Sequence, residues 1–341
     1  MLNNNIFSNP KNIKYTRDLT KDCYCQHIFL DNIFNIFKSI DNILNLIYTN
    51  GNKSIIFYDI INDQKINEIK NAHKWAIFNF RHYLDKMNNR DLIISISYGN
   101  NIKLWNIKNL ECLYSFESIY DCGTIYSACF INDNNNNYIL ASNSDYPLNY
   151  GLIKLFDFNG NKIKEINGSN DSTFFIDTYY ENNNSKIFIV TGNYDFVKSY
   201  DYKINKIYHK YCDNTNKEKG KSCCHIGITI NNIENIIKMI ESSYDGNIRV
   251  WNFHSGELIQ KIFVSKYQLN GICLWDNNYL FVGCHDNNIK LIELDSENKY
   301  DIIGHQKYVL AIKKIFLPKF GECIVSQGSL DDQIKLWTIN I

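Results

Sequence analysis

The stretch SSYDGNIRVWN, Ser242–Asn252, decides the fold. Small and polar residues around Asp245-Gly246 suit a tight turn. Apolar Ile248 and Val250 then alternate with other residues up to an aromatic, Trp251, followed by Asn252. An alternation of period two suits a half-buried strand and is useless to a helix. The same pattern ends at Tyr58-Asp59 (NGNKSIIFYD), Trp105-Asn106 (YGNNIKLWN), Phe156-Asp157 (NYGLIKLFD) and Tyr200-Asp201 (NYDFVKSYD). It returns in HDNNIKLIE at Ile292-Glu293 and in LDDQIKLWT at Trp337-Thr338.

These are seven copies. The aromatic-type positions are separated by steps of 47, 51, 44, 51, 41 and 45 residues. Upstream of each lies a continuous apolar run (NILNLIYT, DLIISISY, YILASN, KIFIVTG, IIKMIESS, YLFVGC, ECIVSQG), as strands covered on both faces require. A further run comes earlier (YSACFI, LAIKKIFL), and another follows the aromatic (KINEIK, KEING, ELIQKI). Four short strands per unit, seven times over, predict one radial all-β architecture spanning 1–341: seven four-stranded antiparallel blades.

The units resemble WD40 repeats, and the chain resembles a seven-bladed WD40 β-propeller over nearly its full length. The seventh unit carries the fullest signature, Gly304-His305, then Asp331, then Trp337. In the second, Asn71-Ala72-His73 replaces Gly-His, and His73 precedes Trp105 by the same 32 residues that separate His305 from Trp337. His27 lies 31 residues before Tyr58, whereas His225, 26 before Trp251, is placed differently. The resemblance implies a buried tie in which the His bonds the Asp of the turn and the Trp fills the core. His305, Asp331, Trp337, His73, Trp105, Asp245, Trp251 and Asp286 are therefore expected to be structural. Four residues follow Trp337, too few for a fourth strand. Asn12–Leu19 (NIKYTRDL) is expected to complete the last blade and close the ring, with the first inner strand near 28–37.

Composition narrows the function. Lys+Arg and Asp+Glu both number 36, so no large positive field would draw in nucleic acid or a membrane surface. Arg occurs four times, at 17, 81, 90 and 249, with no adjacent pair. The Phe-Arg-Arg-Gly signature of phosphoinositide-binding propellers is thus missing, which leaves a membrane-trafficking or phosphoinositide-associated role as the weaker alternative, and an enzyme on a propeller scaffold as a weaker one still. Asn is the outlier at 51 residues, as AT-rich coding would give, and its runs at 3–5, 134–137 and 182–184 suit swollen loops. No apolar stretch is long enough to span a bilayer, and the first residues show no secretory pattern. Eleven Cys without such a signal suit reduced thiols in the cytoplasm, or the nucleus.

No nucleophile elbow and no phosphate-binding glycine loop occurs. Cys23-x-Cys25-x-His27 and Cys212…Cys223-Cys224-His225 lack the paired spacing of structural zinc sites. No cofactor or metal is therefore expected. The Lys-bearing insertion Cys212–Ser222 suits a solvated loop. The remaining signal is positional. In the family, the residue before the turn Asp lies on the top face around the channel. Here that position holds Tyr98, Tyr194, Tyr244, His285 and Leu330, and the loops entering the inner strands add Trp75, Tyr120, Phe174, Tyr267 and Tyr308. Tyr and Trp bury much area at little entropic cost, which suits recognition of a peptide or a loop of another protein. The expectation is a non-catalytic interaction scaffold, monomeric by itself and part of a larger complex.

Overall fold

A computed structural model of the chain describes residues 13–20, 34–41, 43–49, 53–117, 119–120, 123–134, 136–145, 150–181, 185–213, 225–233, 236–329 and 333–339. The protein is an all-β propeller of seven four-stranded antiparallel sheets, and the described residues contain no helix. Blades 1 to 6 run outward in chain order from an inner strand at the channel, and the last blade does so for its first three strands. The inner strands are Phe34–Lys38, Ile77–Asp85, Thr124–Asp133, Thr173–Glu181, His225–Ile233, Leu269–Leu274 and Val309–Leu317. The residues that marked the sequence repeat all fall on third strands, from Tyr58 on Ile55–Asp59 to Trp337 on Ile334–Ile339.

The last blade closes the ring. Its sheet order places Ile13–Thr20 outside Ile334–Ile339, with Ile13 opposite Ile339 and Thr20 opposite Ile334. Side chains reinforce that seam, since Thr16 Oγ1 bonds Thr338 Oγ1 at 3.0 Å and Arg17 reaches the Ile60 carbonyl of blade 1 at 3.0 Å. The first inner strand is described over Phe34–Lys38, within the expected stretch; residues 28–33 lie outside the described residues.

Second strands are the most deeply buried. In Arg90–Ser97 every residue after Arg90 is buried, as a strand between two neighbours and two flanking blades should be. Outer strands alternate or stay exposed, as in Gln64–Ile69. Adjacent blades share clusters of Ile, Leu, Val and aromatic side chains, such as Phe37, Phe57, Ile77, Phe80, Ile93 and Trp105 between blades 1 and 2. Part of the Asn excess stitches the blades together. Asn35, Asn79 and Asn270 each donate a side-chain N–H to a carbonyl on the next inner strand, at Phe80 (3.2 Å), Tyr126 (3.3 Å) and Val309 (2.9 Å).

Candidate interaction face at the channel mouth

The pairings Ile77↔Ser97, Thr173↔Asn193, His225↔Ser243, Leu269↔Cys284 and Val309↔Gly328 bring the start of each inner strand and the end of each second strand to one end of the ring. In blades 2 to 7 the pairing slips just after the inner strand starts, as between Ile77 and Asn79 or between Thr173 and Phe175. A bulge of this kind adds one unpaired residue and re-aims its side chain. The added residue is Phe78 in blade 2, Tyr126 in blade 3, Phe174 in blade 4, Ile226 in blade 5 and Leu310 in blade 7.

These bulge residues gather with the residues that precede the turns. Phe78 meets Tyr98 edge-on at 5.0 Å. Phe174 lies 5.3 Å from Tyr126 and 5.5 Å from Tyr194, and Ile226 joins them to Tyr244 in one cluster. Tyr244 in turn approaches His285 at 6.0 Å, and His285 stacks on Tyr308 at 4.4 Å with their planes 6° apart. The result is an arc of rings that runs from blade 3 to blade 7. Burial lowers the His285 pKa to about 4, so its imidazole is neutral near pH 7.

Exposure sorts the expected residues. Trp75 is 53% exposed, Tyr267 46% and Tyr308 40%, while Tyr98, Tyr194, Tyr244 and His285 are half-buried. Trp75 lies against Gly99, where a Cβ would come within 3.1 Å of the indole, and the ammonium groups of Lys53 and Lys74 stand 5.8 and 5.9 Å from its ring. Two candidates are not surface residues. Tyr120 is buried, donates its hydroxyl to the Ala141 carbonyl (2.5 Å) and lies under the Lys154 ammonium. Phe174 is buried as the centre of its cluster. Leu330 and Asp331 lie outside the described residues, as do Cys23, Cys25, His27, Cys223, Cys224 and most of the Cys212–Ser222 insertion. Tyr126 was missed by the sequence reading. Its signal is its register position at the bulge near the start of the inner strand, which it shares with Phe78 and Phe174.

The buried ties of blades 2 and 7 run through a serine; Asp331, which the expected His–Asp pairing of blade 7 needs, lies outside the described residues. In blade 2, Ser95 Oγ accepts the Trp105 indole N–H at 2.8 Å and faces His73 Nε2 at 2.7 Å. Blade 7 repeats this with Ser326, Trp337 and His305, both at 2.7 Å. A hydroxyl accepts one proton and gives one, so it satisfies both rings. His73 Nδ1 is buried without a hydrogen bond, because Gly99 stands where the turn Asp would be. Burial, then the Lys103 charge, lowers the His73 pKa to about 3, against a weaker opposing effect of Asn101.

Blade 5 departs further. Glu241 takes the place of the serine; it accepts the Trp251 indole N–H at 3.2 Å and pairs with His225 Nδ1. His225 thus joins the tie despite its irregular spacing. Asp245 faces an arginine instead. It pairs with Arg249, which also binds Asp213 at 3.0 Å and Ser243 Oγ at 2.9 Å and lies 3.9 Å from Glu241. Burial pushes the Asp245 pKa up, but hydrogen bonds and charge from Arg249, with Ser243 and the Asn247 N–H, hold the carboxyl well below the usual range. Asp286 pairs with Lys290, two residues before its blade's marker. Lys103, Lys154, Lys198 and Lys335 share that register and bond the loop carbonyls of Ala72, Ile119, Gly168 and Gly304. The recurring I-K-L of the third strands was the signal for this set.

At the opposite end, a cavity of about 590 Å³ opens between blades 4 and 5. His254 there is held on both nitrogens, by Glu181 at 2.8 Å and by the Tyr208 hydroxyl at 3.0 Å. Among the described residues no three His, Cys, Asp or Glu side chains gather as a metal site. The chain matches no protein-family model and no curated protein sequence.

Proposed function

We propose that the protein is a WD40-type interaction scaffold without catalytic activity, which grips a peptide or a loop of another protein on the face at the channel mouth. The observation that carries this reading is the arc of rings from Tyr126 to Tyr308, with Trp75, Tyr267 and Tyr308 exposed around it. Side chains of this kind dominate binding hot spots because they bury large area at small entropic cost. The histidines support a non-catalytic reading. Ser95 and Ser326 are fully buried and already hydrogen-bonded to an indole, and His254 has no free nitrogen to act as a base. The free thiols of Cys112, Cys129, Cys284 and Cys323 suit a reducing compartment, the cytoplasm or the nucleus.

The test is affinity capture from the source cells with quantitative mass spectrometry. Wild-type protein is compared with Trp75→Ala/Tyr267→Ala and with Phe263→Ala, whose equally exposed ring lies on the outer strand of blade 5. Partners retained by wild type and Phe263→Ala but lost from the rim variant support the reading. Partners that survive the rim substitutions place the interface elsewhere.

A further inference from the structure

The channel itself holds a cavity of about 450 Å³, walled by inner strands of blades 1, 2, 4, 5, 6 and 7. That is roughly fifteen water volumes at about 30 Å³ each. Its charged lining is Arg81, Asp177, Lys313 and Lys314. Lys314 is spent, since its ammonium bonds the Trp275 carbonyl at 2.9 Å and Glu322 at 2.7 Å. Lys313 has no ion-pair partner among the described residues.

Arg81 is under-partnered. From blade 2 it reaches past blade 3 and donates to the Ile176 carbonyl at 3.3 Å, the long end of hydrogen bonding. Its carboxylate neighbour, Asp177, stands 3.9 Å away and is 53% exposed, whereas the Arg81 side chain is only 12% exposed. Arg81 Nε is buried with no acceptor. A guanidinium largely withdrawn from water needs full pairing to offset its desolvation, and this one has a marginal bond, a distant ion pair and the Phe175 face at 5.8 Å. With Lys313 lining the same cavity, the channel carries excess positive charge between low-dielectric walls, which focuses the field on whatever enters.

We propose that the channel is a binding site for a compact polyanion of the phosphate class. Arg81 presents Nε and a terminal nitrogen as a fork to two phosphate oxygens, the geometry in which arginine binds phosphate best. Lys313 supplies a second charge, and the Thr229 hydroxyl, on the inner strand of blade 5, a neutral contact. The site is separate from the rim and does not rest on the rim's role.

Isothermal titration of the full chain with sodium tripolyphosphate, in about 0.15 M salt to suppress diffuse attraction, tests the assignment. The expected result is saturable binding of one anion per chain. Arg81→Met and Lys313→Met should each weaken it by about tenfold or more, the loss of one charge-assisted bond. Lys74→Met, a rim lysine outside the channel, should leave it unchanged. Absence of saturable binding to wild type overturns the proposal. So does binding that either channel substitution leaves intact, or that Lys74→Met removes. If Arg81→Met does not fold, Lys313→Met decides.

Discussion

Blades 2 and 5 solve one problem with opposite chemistry. Each must bury a Trp whose indole N–H needs an acceptor, on a second strand where water does not reach. Blade 2 uses a hydroxyl, Ser95, and leaves the tie neutral. Blade 5 uses Glu241 and must then gather charge around it: His225, Arg249, and through Arg249 the carboxylates of Asp213 and Asp245, with Lys261 on Asp213 at 2.7 Å. The backbone register is the same, for Ser95 pairs with Lys103 as Glu241 pairs with Arg249. A repeat thus fixes the place of a polar tie and not its chemistry. One carboxylate in place of a hydroxyl recruits partners from a neighbouring loop and strand.

The comparison breaks most visibly at Glu241. In Glu241→Ala, Arg249 loses a buried counter-charge while Trp251 and His225 lose their acceptor. We expect a loss of about 3–5 kcal/mol in urea unfolding, the range for breaking a buried ion pair. Ser95→Ala should cost less, about 1–3 kcal/mol, because only neutral donors are stranded. Equal losses would mean that the ionic partners of blade 5 add nothing to its tie.

Acid should separate the blades next. The folded pKa of His73, about 3, lies below its unfolded value of about 6.5. The unfolded chain therefore takes up the proton first. The contribution of His73 is complete above about pH 6.5 and is lost as pH falls toward 3. The Asp245 carboxyl is also held down, but its unfolded value is about 3.9, so its contribution fades only below about pH 4. Unfolding free energy should hence decline between about pH 7 and pH 5, and the decline should be shallower in His73→Leu. An unchanged slope in that variant would assign it to half-buried histidines, such as His82 and His285, which burial also depresses.

The smallest effect belongs to the rim. Tyr308→Ala removes a ring that is 40% exposed and stacked on His285, so thermal unfolding should shift by no more than about 0.5 kcal/mol in stability terms. A larger loss would make the rim part of the core, as Phe174 is.

The period of the third strands was readable because every blade must repeat it. Ring closure was readable too, since Ile13–Thr20 has no other sheet to join. The ties were harder. Ser95 and Ser326 sit inside apolar runs, where a hydroxyl looks like filler, and Glu241 in IIKMIESS looks like the edge of a turn. Their meaning comes from the cross-strand partner, which sequence does not display. Asn was hidden by its own abundance: nothing local distinguishes the blade-stitching Asn35, Asn79 and Asn270 from the many in loops. Tyr120 and Phe174 show the converse. Loop aromatics suggest a surface, but a hydroxyl within reach of two strand carbonyls, or a bulge that turns a ring inward, makes them core.

Closure of the ring sets a timetable for synthesis. Thr16 and Thr338, bonded across the seam, are 322 residues apart in the chain. At roughly 5–20 residues per second, the first strand is made about 15–60 s before its partner exists. Over that interval its backbone donors and acceptors form an open edge, ready to pair with any strand nearby. The blades between can form locally as they emerge, each from a single stretch of chain. The seam is the exception and carries the longest-range contacts, which fold slowest. The ribosome-bound chain is thus most exposed to mispairing at Ile13–Thr20, and an early chaperone contact there would shield the edge until the seventh blade arrives.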